Sequence, residues 1–236
     1  INKDCGSTNI KPLQKEVLKN KADFGIAFDG DGDRLIIVDE NAKELNGDDI
    51  LFVLARDKFE NQITLGSKGI VGTIMTNKGL ENSLTKMGVE LVRSDVGDRY
   101  VLQKLEELNW DLGGEQSGHI ISLDSSNSGD AIIAAIKFLE AYICSGLSLD
   151  QLLKPFIKYP QILTNVKTKN FEKVLKNKNF QNLLRDISLS LKKYDGRVNV
   201  RPSGTEPLIR IMVESKNEKE TKSASKILSN FVKKLT

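Results

Sequence analysis

The sequence IAFDGDGDR at residues 26–34 is the most informative stretch of the chain. An apolar, strand-like run leads into three aspartates at alternate positions, Asp29, Asp31 and Asp33, which are separated only by glycines. Glycine accepts backbone angles that other residues resist, so the loop can curl until the three carboxylates converge. Converging carboxylates repel one another unless a cation lies among them, and a hard divalent ion such as Mg²⁺ meets that requirement. The stretch therefore predicts a strand that ends in a magnesium-binding loop.

A calcium-binding EF-hand is one alternative for this loop. Glu40 stands where the twelfth-position glutamate of an EF-hand would be. However, Arg34 occupies the sixth position, where glycine is needed, and both flanks of the loop resemble strands rather than helices. The EF-hand is therefore disfavoured.

A haloacid-dehalogenase-like phosphatase is a second alternative, with Asp29 as nucleophile and Asp31 as acid/base. Such an enzyme also needs a downstream Gly-Asp-x-x-x-Asp motif for Mg²⁺. The candidates at residues 97–102 and 129–134 end in leucine and alanine instead of aspartate. The phosphatase hypothesis fails at this second motif.

Strand-like and helical patterns alternate from the acidic stretch to about residue 146, which favours a mostly parallel sheet covered by helices. Strands are predicted at residues 24–28, 35–38, 69–75 and 90–93, and helices at residues 48–59, 78–87, 99–108 and 131–144. After Pro160 the pattern becomes α+β, with strands at 162–166 and on both sides of 201–207, and helices at 171–193 and 218–235. The predicted domains are residues 1–66, 67–158 and 159–236.

The composition excludes several classes of protein. A net charge of only +3 gives no reason to expect nucleic acid or an anionic membrane as a partner. No apolar run approaches the roughly 18 residues that span a bilayer, and no leader-like segment opens the chain. Cys5 and Cys144 form no disulfide framework, so we expect a cytoplasmic protein.

A second dense cluster is GGEQSGH at residues 113–119, which contains the only histidine of the chain. Alternate residues of an extended loop point the same way, so Glu115 and Ser117 are expected to bind adjacent hydroxyls of a sugar. His119 is either structural or functional on this pattern alone. A Ser/His/Asp hydrolase is poorly supported because no Gly-x-Ser-x-Gly motif is present.

A third cluster is RPSGTEP at residues 201–207, followed by Arg210. Two arginines, two hydroxyls and a glycine-opened backbone suit an anion, because guanidinium groups contact phosphate oxygens in pairs. A solvated Pro/Gly turn is the alternative if the cluster stood alone. The polar turn DVGDR at residues 95–99 contributes Asp98, which by itself indicates little more than a helix cap.

The three loops occur in an order that resembles the α-D-phosphohexomutase family, and residues 96–101 and 113–120 are similar to its bacterial members that act on glucosamine phosphates. The resemblance runs along the whole chain, but it corresponds to the later part of a four-domain protein. It implies two mixed α/β sheet domains, the first of them truncated, followed by a smaller α+β C-terminal domain. It also implies amino-sugar metabolism, in which glucosamine 6-phosphate and glucosamine 1-phosphate are interconverted through a phosphoserine and a bisphosphorylated sugar.

The resemblance also assigns roles to residues. It places Mg²⁺ on Asp29, Asp31 and Asp33, Arg34 beside the transferring phosphoryl group, and His119 in binding or proton transfer. The residues implied in binding the phosphorylated hexosamine are Asp98, Glu115, Ser117, Arg201, Ser203, Gly204, Thr205 and Arg210.

One feature of the family does not occur in this sequence. The family's nucleophilic serine lies in a Thr-Ala-Ser-His-Asn-Pro-like loop of the first domain, and this chain has no such loop. We therefore expect a piece of a longer mutase that requires its N-terminal domain and is inactive alone. The alternatives are a phosphomannomutase/phosphoglucomutase of the same family, or a non-catalytic module that binds phosphosugar or metal.

Overall fold

The computed structural model describes residues 1–60, 68–168, 170–204 and 206–235. The chain divides into two compact units, Ile1–Ile157 and Lys158–Thr236. The predicted boundary at residue 66 lies outside the described residues, and the division into three domains stays a prediction.

The strands of the first unit are β1 (Phe24–Phe28), β2 (Leu35–Asp39), β3 (Glu44–Leu45), β4 (Gly69–Thr73), β5 (Glu90–Ser94), β6 (Leu112–Gly114) and β7 (Ile120–Ser122). Its helices are α1 (Lys11–Asn20), α2 (Gly47–Glu60), α3 (Lys78–Lys86), α4 (Asp98–Leu108), α5 (Ala131–Ser145) and α6 (Leu149–Leu153). The sequence patterns correctly predicted β1, β2, β4, β5 and helices α2 to α5, whereas α1, β3, β6 and β7 were not predicted.

Two sheets lie in this unit. The first has the order β1-β2-β3 and is antiparallel throughout. The second has the order β5-β4-β6-β7, in which β4 pairs in parallel with β5 and β6, and β7 pairs antiparallel with β6. The expectation of a mostly parallel sheet is therefore wrong for the first sheet, because β1 and β2 are joined by a loop short enough for a hairpin.

Helix α2 forms the centre of the first unit. All of its residues from Gly47 to Ala55 are buried, and Phe52 packs in one apolar cluster with Ile37 of β2, Ile70 of β4 and Phe138 of α5. Burying each large side chain of this kind contributes about 1.5–3 kcal/mol. The helix therefore joins both sheets to one core.

The second unit is an α+β layer. Its strands are β8 (Gln161–Lys167), β9 (Arg197–Pro202) and β10 (Leu208–Glu214), and its helices are α7 (Phe171–Leu175), α8 (Lys178–Lys192) and α9 (Glu218–Leu235). The sheet has the order β8-β10-β9 and is antiparallel. The predicted helical stretch at 171–193 is divided, because the Asn177 side chain accepts a hydrogen bond from the Phe180 amide and starts a new helix.

No helix within the described part of the chain is both long and apolar enough to cross a bilayer.

Candidate phosphosugar and metal site

The acidic loop, residues 29–34, connects β1 to β2. Oδ1 of Asp29 accepts hydrogen bonds from the amides of Gly32, Asp33 and Arg34 at 3.1, 3.1 and 3.2 Å. Gly32 has a φ of +74°, an angle that favours glycine. The loop therefore curls around the carboxylate of Asp29, which accepts hydrogen bonds from three of its amides.

The electrostatic state of Asp29 follows from these contacts. Partial burial raises the pKa of its carboxyl, but hydrogen bonds from Asp33 and Arg34 and the charge of Arg34 outweigh it and hold the pKa below its ordinary value. Nε of Arg34 lies 3.7 Å from Oδ2 of Asp29. Asp29 is therefore a stable anion at the start of the loop.

The acidic loop carries three carboxylates that could hold a divalent cation. Within the described ranges, no three His, Cys, Asp or Glu side chains already converge as a metal-holding group. However, Oδ1 of Asp33 is buried without a hydrogen-bond partner, and Asp31 is exposed. An orphaned carboxylate oxygen beside two further carboxylates is an all-oxygen donor set of the kind that Mg²⁺ prefers. The donor chemistry of Asp29, Asp31 and Asp33 therefore fits a magnesium ion.

The glutamate loop, residues 115–119, connects β6 to β7. It is a tight turn, closed by a hydrogen bond from the Gly118 amide to the Glu115 carbonyl at 3.0 Å. The expectation of an extended loop is therefore wrong, because the chain reverses between Glu115 and Gly118. Ser117 is exposed.

Glu115 faces the turn that precedes α4. Its Oε2 accepts a hydrogen bond from the Gly97 amide at 3.2 Å. Burial raises the pKa of the Glu115 carboxyl, and this effect exceeds the opposing hydrogen bond from Gly97. Asp98, the next residue, is exposed, and its Oδ1 accepts a hydrogen bond from the Arg99 amide. The structure therefore brings Glu115 and the 95–98 turn together.

The acidic loop and the glutamate loop are in direct contact. The Leu35 amide donates to the Gly118 carbonyl at 3.0 Å, and Arg34 and His119 form an isolated antiparallel bridge. Nδ1 of His119 lies 3.1 Å from Oδ2 of Asp33. Two motifs more than eighty residues apart in sequence therefore form one site.

The arginine loop, residues 201–207, lies in the second unit. Arg201 of β9 and Arg210 of β10 are directly opposite each other in the ladder. Nε of Arg210 is buried without a hydrogen-bond partner, and its Nη2 lies 3.6 Å from Glu206. Like charges opposite each other in a sheet repel, so an anion at this position would stabilise the pair.

The rest of the arginine loop shapes the space beside these two arginines. The Ser203 amide donates to the Leu208 carbonyl at 2.9 Å, and Gly204 is exposed with open space around it. Thr205 lies outside the described residues.

Several contributing residues were not singled out from the sequence. Nε2 of Gln116 donates to Oδ2 of the buried Asp48 at 3.0 Å, and the Gly47 amide donates to the Gln116 carbonyl. Gly129 packs on the imidazole of His119. Gln116 lies within the 113–119 motif, whereas the only sequence signal for Gly47, Asp48 and Gly129 was glycine or aspartate close to a helix start, which ordinary caps and turns also show.

Comparison with protein families places these loops in three consecutive domains of one family. Residues 3–44 match phosphoglucomutase/phosphomannomutase alpha/beta/alpha domain II, residues 46–159 match its alpha/beta/alpha domain III, and residues 163–226 match its C-terminal domain. The chain is thus a set of phosphohexomutase domains. It belongs to the phosphoglucomutase/phosphomannomutase family.

Among curated relatives, the chain is similar to phosphoglucosamine mutases. It is 44% identical to that of Proteus mirabilis over 99% of this chain and 52% of the relative. It is also 44% identical to that of Idiomarina loihiensis, over 100% of this chain and 52% of the relative. The chain therefore spans about half the length of the curated relatives it matches.

Solved structures show the same fold. The chain superposes on Aspergillus fumigatus N-acetylphosphoglucosamine mutase in complex with GlcNAc-6P and magnesium with a TM-score of 0.79, at 20% identity, over 98% of this chain and 57% of that one. An N-acetylglucosamine-phosphate mutase in a substrate complex gives a TM-score of 0.72 at 22% identity, over 97% of this chain and 53% of that one.

Proposed function

We propose that this chain is the metal-, sugar- and phosphate-binding part of a phosphoglucosamine mutase, which interconverts glucosamine 6-phosphate and glucosamine 1-phosphate. The observation that carries the proposal is the direct hydrogen bonding between the acidic loop and the glutamate loop. These contacts bring the loop that carries Asp29, Asp31, Asp33 and Arg34 against the loop that begins at Glu115, which supports one shared site. The similarity to bacterial phosphoglucosamine mutases supports the choice of amino sugar.

The acidic loop has the phosphoryl-transfer role in this proposal. Asp29, Asp31 and Asp33 would hold Mg²⁺, which supplies charge neutralisation at the phosphoryl group when it is bound. Arg34 is half exposed at the end of the loop, where its guanidinium can contact phosphoryl oxygens.

The glutamate loop has the sugar-binding role. The Glu115 carboxylate accepts hydrogen bonds from sugar hydroxyls, and Ser117 and Asp98 stand exposed to do the same. His119 assists by binding a hydroxyl or by moving a proton.

The arginine loop would hold the phosphate that is not reacting. Arg201 and Arg210 supply the charge, and Ser203, Gly204 and Thr205 supply hydroxyl and amide donors. Such a site accepts either end of a bisphosphorylated sugar, because both ends carry the same group.

The nucleophilic serine is expected outside this sequence. No Thr-Ala-Ser-His-Asn-Pro-like loop occurs in these residues, and the relatives are about twice as long. In this proposal the chain requires the family's first domain, as its partner, for turnover in the cytoplasm.

The first experiment measures turnover of glucosamine 6-phosphate, with Mg²⁺ and a hexose bisphosphate, by the folded chain alone and by the chain mixed with a relative's first domain. We expect no turnover from the chain alone. Calorimetry should nevertheless show that the chain alone binds glucosamine 6-phosphate. Turnover by the chain alone would place the nucleophile within these residues and overturn the mechanism.

Sugar preference separates the proposal from its nearest alternative. Tighter binding of mannose or glucose phosphates than of glucosamine phosphate would favour a phosphomannomutase/phosphoglucomutase. Binding of phosphosugar without turnover in any complemented form would favour a non-catalytic module.

A further inference from the structure

The start of α2 packs against the glutamate loop. The Gly47 amide donates a hydrogen bond to the Gln116 carbonyl at 3.1 Å. A Cβ atom at residue 47 would lie 1.9 Å from the Glu115 carbonyl oxygen and 2.8 Å from the Gly118 amide nitrogen, closer than real contacts allow. Those two groups form the hydrogen bond that closes the turn. The glutamate loop therefore lies on the backbone of α2 at a position where the close approach requires glycine.

Asp48 adds a side-chain contact to this backbone contact. The residue is 0% exposed, and its Oδ2 accepts hydrogen bonds from Nε2 of Gln116 at 3.0 Å and from the Asn77 amide at 3.1 Å. Burying a carboxylate without hydrogen bonds is costly, so these donors stabilise Asp48 in its buried position. One carboxylate oxygen therefore joins the glutamate loop to the turn between β4 and α3.

The turn between β4 and α3 is fixed by its own hydrogen bonds. Asn77 caps α3, because its side chain accepts from the Gly79 amide at 2.9 Å. The Thr73 amide donates to Oγ1 of Thr76 at 2.8 Å, and both threonines are fully buried. The carboxylate thus holds Gln116 to a part of the fold whose position is set by the parallel sheet and by α3.

The position of the Glu115 carboxylate depends on this backbone. Its Oε2 accepts from the Gly97 amide at 3.2 Å, and the residue is half-buried. We propose that Gly47 and Asp48 are positioning residues, which hold the glutamate loop against α2 so that the Glu115 carboxylate meets the ring hydroxyls of a phosphosugar. Both act through Gln116 and the loop backbone and do not touch the sugar. This inference rests on the proposed function for the identity of the ligand.

Gly47→Ala tests the backbone contact, with Gly69→Ala as its matched control. A Cβ atom at residue 69 would lie 2.1 Å from the Glu90 carbonyl oxygen, a clash of similar size. Gly69 begins β4, whereas the glutamate loop follows the end of β6, which is parallel to β4, so the control lies at the opposite edge of the sheet.

The two glycine variants are compared by calorimetry with glucosamine 6-phosphate, after circular dichroism has confirmed folding. We expect Gly47→Ala to bind it about tenfold more weakly, the effect of losing one hydrogen bond to a charged group. Gly69→Ala should bind it as wild type does. Equal affinities of the two variants would contradict the proposal.

Gln116→Met tests the side-chain contact and does not depend on a folded Gly47→Ala chain. Methionine matches glutamine in length but has no donor for Asp48. Gln103→Met is the control, because Nε2 of Gln103 donates to Oε1 of Glu107 at 2.9 Å in an exposed pair on α4. We expect about tenfold weaker binding of glucosamine 6-phosphate in Gln116→Met and wild-type binding in Gln103→Met. Wild-type affinity in Gln116→Met would overturn the role of Asp48.

A second ligand separates positioning from a general loss of structure. Inorganic phosphate has no ring hydroxyls, and the proposed phosphate site lies in the second unit. The affinity for inorganic phosphate should therefore be the same in wild type, Gly47→Ala and Gln116→Met. A parallel loss of affinity for inorganic phosphate and for glucosamine 6-phosphate would contradict a role confined to the glutamate loop.

The contact between Asp48 and Gln116 is also measurable without any ligand. The side-chain amide of Gln116 gives a pair of signals in a ¹H–¹⁵N NMR spectrum, which are identified by their loss in Gln116→Met. We expect these signals to shift in Asp48→Asn and to stay in place in Asp49→Asn, since Oδ2 of Asp49 accepts from the Asn46 amide at 2.9 Å. Unshifted signals in Asp48→Asn would overturn the contact.

Failure of the inference and failure of the proposed function are distinguishable. A wild-type chain that shows the Gln116 contact but binds no glucosamine 6-phosphate would overturn the sugar-binding assignment, and with it the role of Gly47 and Asp48. A wild-type chain that binds glucosamine 6-phosphate no better than Gly47→Ala and Gln116→Met do would overturn only the positioning role.

Discussion

The amide of Leu35 donates a hydrogen bond to the carbonyl of Gly118 at 3.0 Å. Leu35 is the first residue of β2, directly after the acidic loop, and Gly118 lies in the glutamate loop. A buried backbone hydrogen bond of this kind cannot be given up without cost, because both groups would then lack a partner. The acidic loop and the glutamate loop are therefore joined through their backbones.

Replacing Gly118 tests the contact between the acidic loop and the glutamate loop. Gly118 has a φ of +96°, and a Cβ atom there would lie 2.1 Å from the Leu35 carbonyl oxygen. Backbone strain and the clash together predict that Gly118→Ala loses about 2–4 kcal/mol of stability in urea unfolding. Gly146→Ala is the control, because Gly146 has a φ of +63° but open space around it, so only strain of about 1–2 kcal/mol is expected. Equal losses in the two variants would show that the contact with Leu35 is unimportant.

A substitution at Asp31 should affect metal binding without affecting folding stability. Its side chain is exposed, whereas Asp29 accepts three backbone hydrogen bonds. Asp31→Asn should therefore weaken Mg²⁺ binding by about tenfold or more and leave stability within about 0.5 kcal/mol of wild type. Asp29→Ala should lose both Mg²⁺ affinity, measured by calorimetry, and folding stability, measured by thermal unfolding. Unchanged Mg²⁺ binding in Asp31→Asn would remove the acidic loop from consideration as a metal site.

The raised pKa of the Glu115 carboxyl predicts how the stability of the folded chain depends on pH. Because burial raises the pKa of its carboxyl in the folded chain, its contribution to stability is fully present below the unfolded pKa of about 4.3 and is lost as the pH rises through the folded value. Glu115→Gln does not ionise, so its stability relative to wild type should increase from pH 4 to pH 7 in urea unfolding. The exposed Glu106→Gln is the matched control and should show a smaller trend. A constant difference between Glu115→Gln and wild type would contradict the burial effect.

A substitution at Arg210 tests the proposed phosphate site. A lysine keeps the charge but loses the planar fork that contacts two phosphate oxygens. We expect Arg210→Lys to weaken binding of glucosamine 6-phosphate by about tenfold, corresponding to one charge-assisted hydrogen bond. Arg185→Lys, at an exposed position of α8, should bind as wild type does. Equal affinity of all three chains would place the non-reacting phosphate elsewhere.

Much of the fold followed from local patterns. The apolar runs at 24–28 and 35–38, the apolar helix before Gly146 and the amphipathic final helix Glu218–Leu235 all have clear apolar patterns, so they were predicted correctly. Strands β6 and β7 have three residues each, too few to show a period, and β3 has two. Helix α1 has one buried residue, Val17, so its apolar face was too weak to recognise.

The site was predicted in part, for a similar reason. Dense polar motifs drew attention to Asp29, Asp31, Asp33, Glu115 and His119, because several charged groups separated only by glycines are unusual in ordinary turns. Gly129 offered no such signal, since its importance depends on a ring ten residues away in sequence that tertiary packing brings to it.

The sequence by itself determined which chemical groups are present and the local conformations that glycines, caps and periodic apolar residues favour. Only the tertiary structure decided that Asp33 pairs with His119 and that Leu35 binds Gly118. Those contacts join segments about 85 residues apart, and such distant pairs depend on the shared core around α2 and not on local preference.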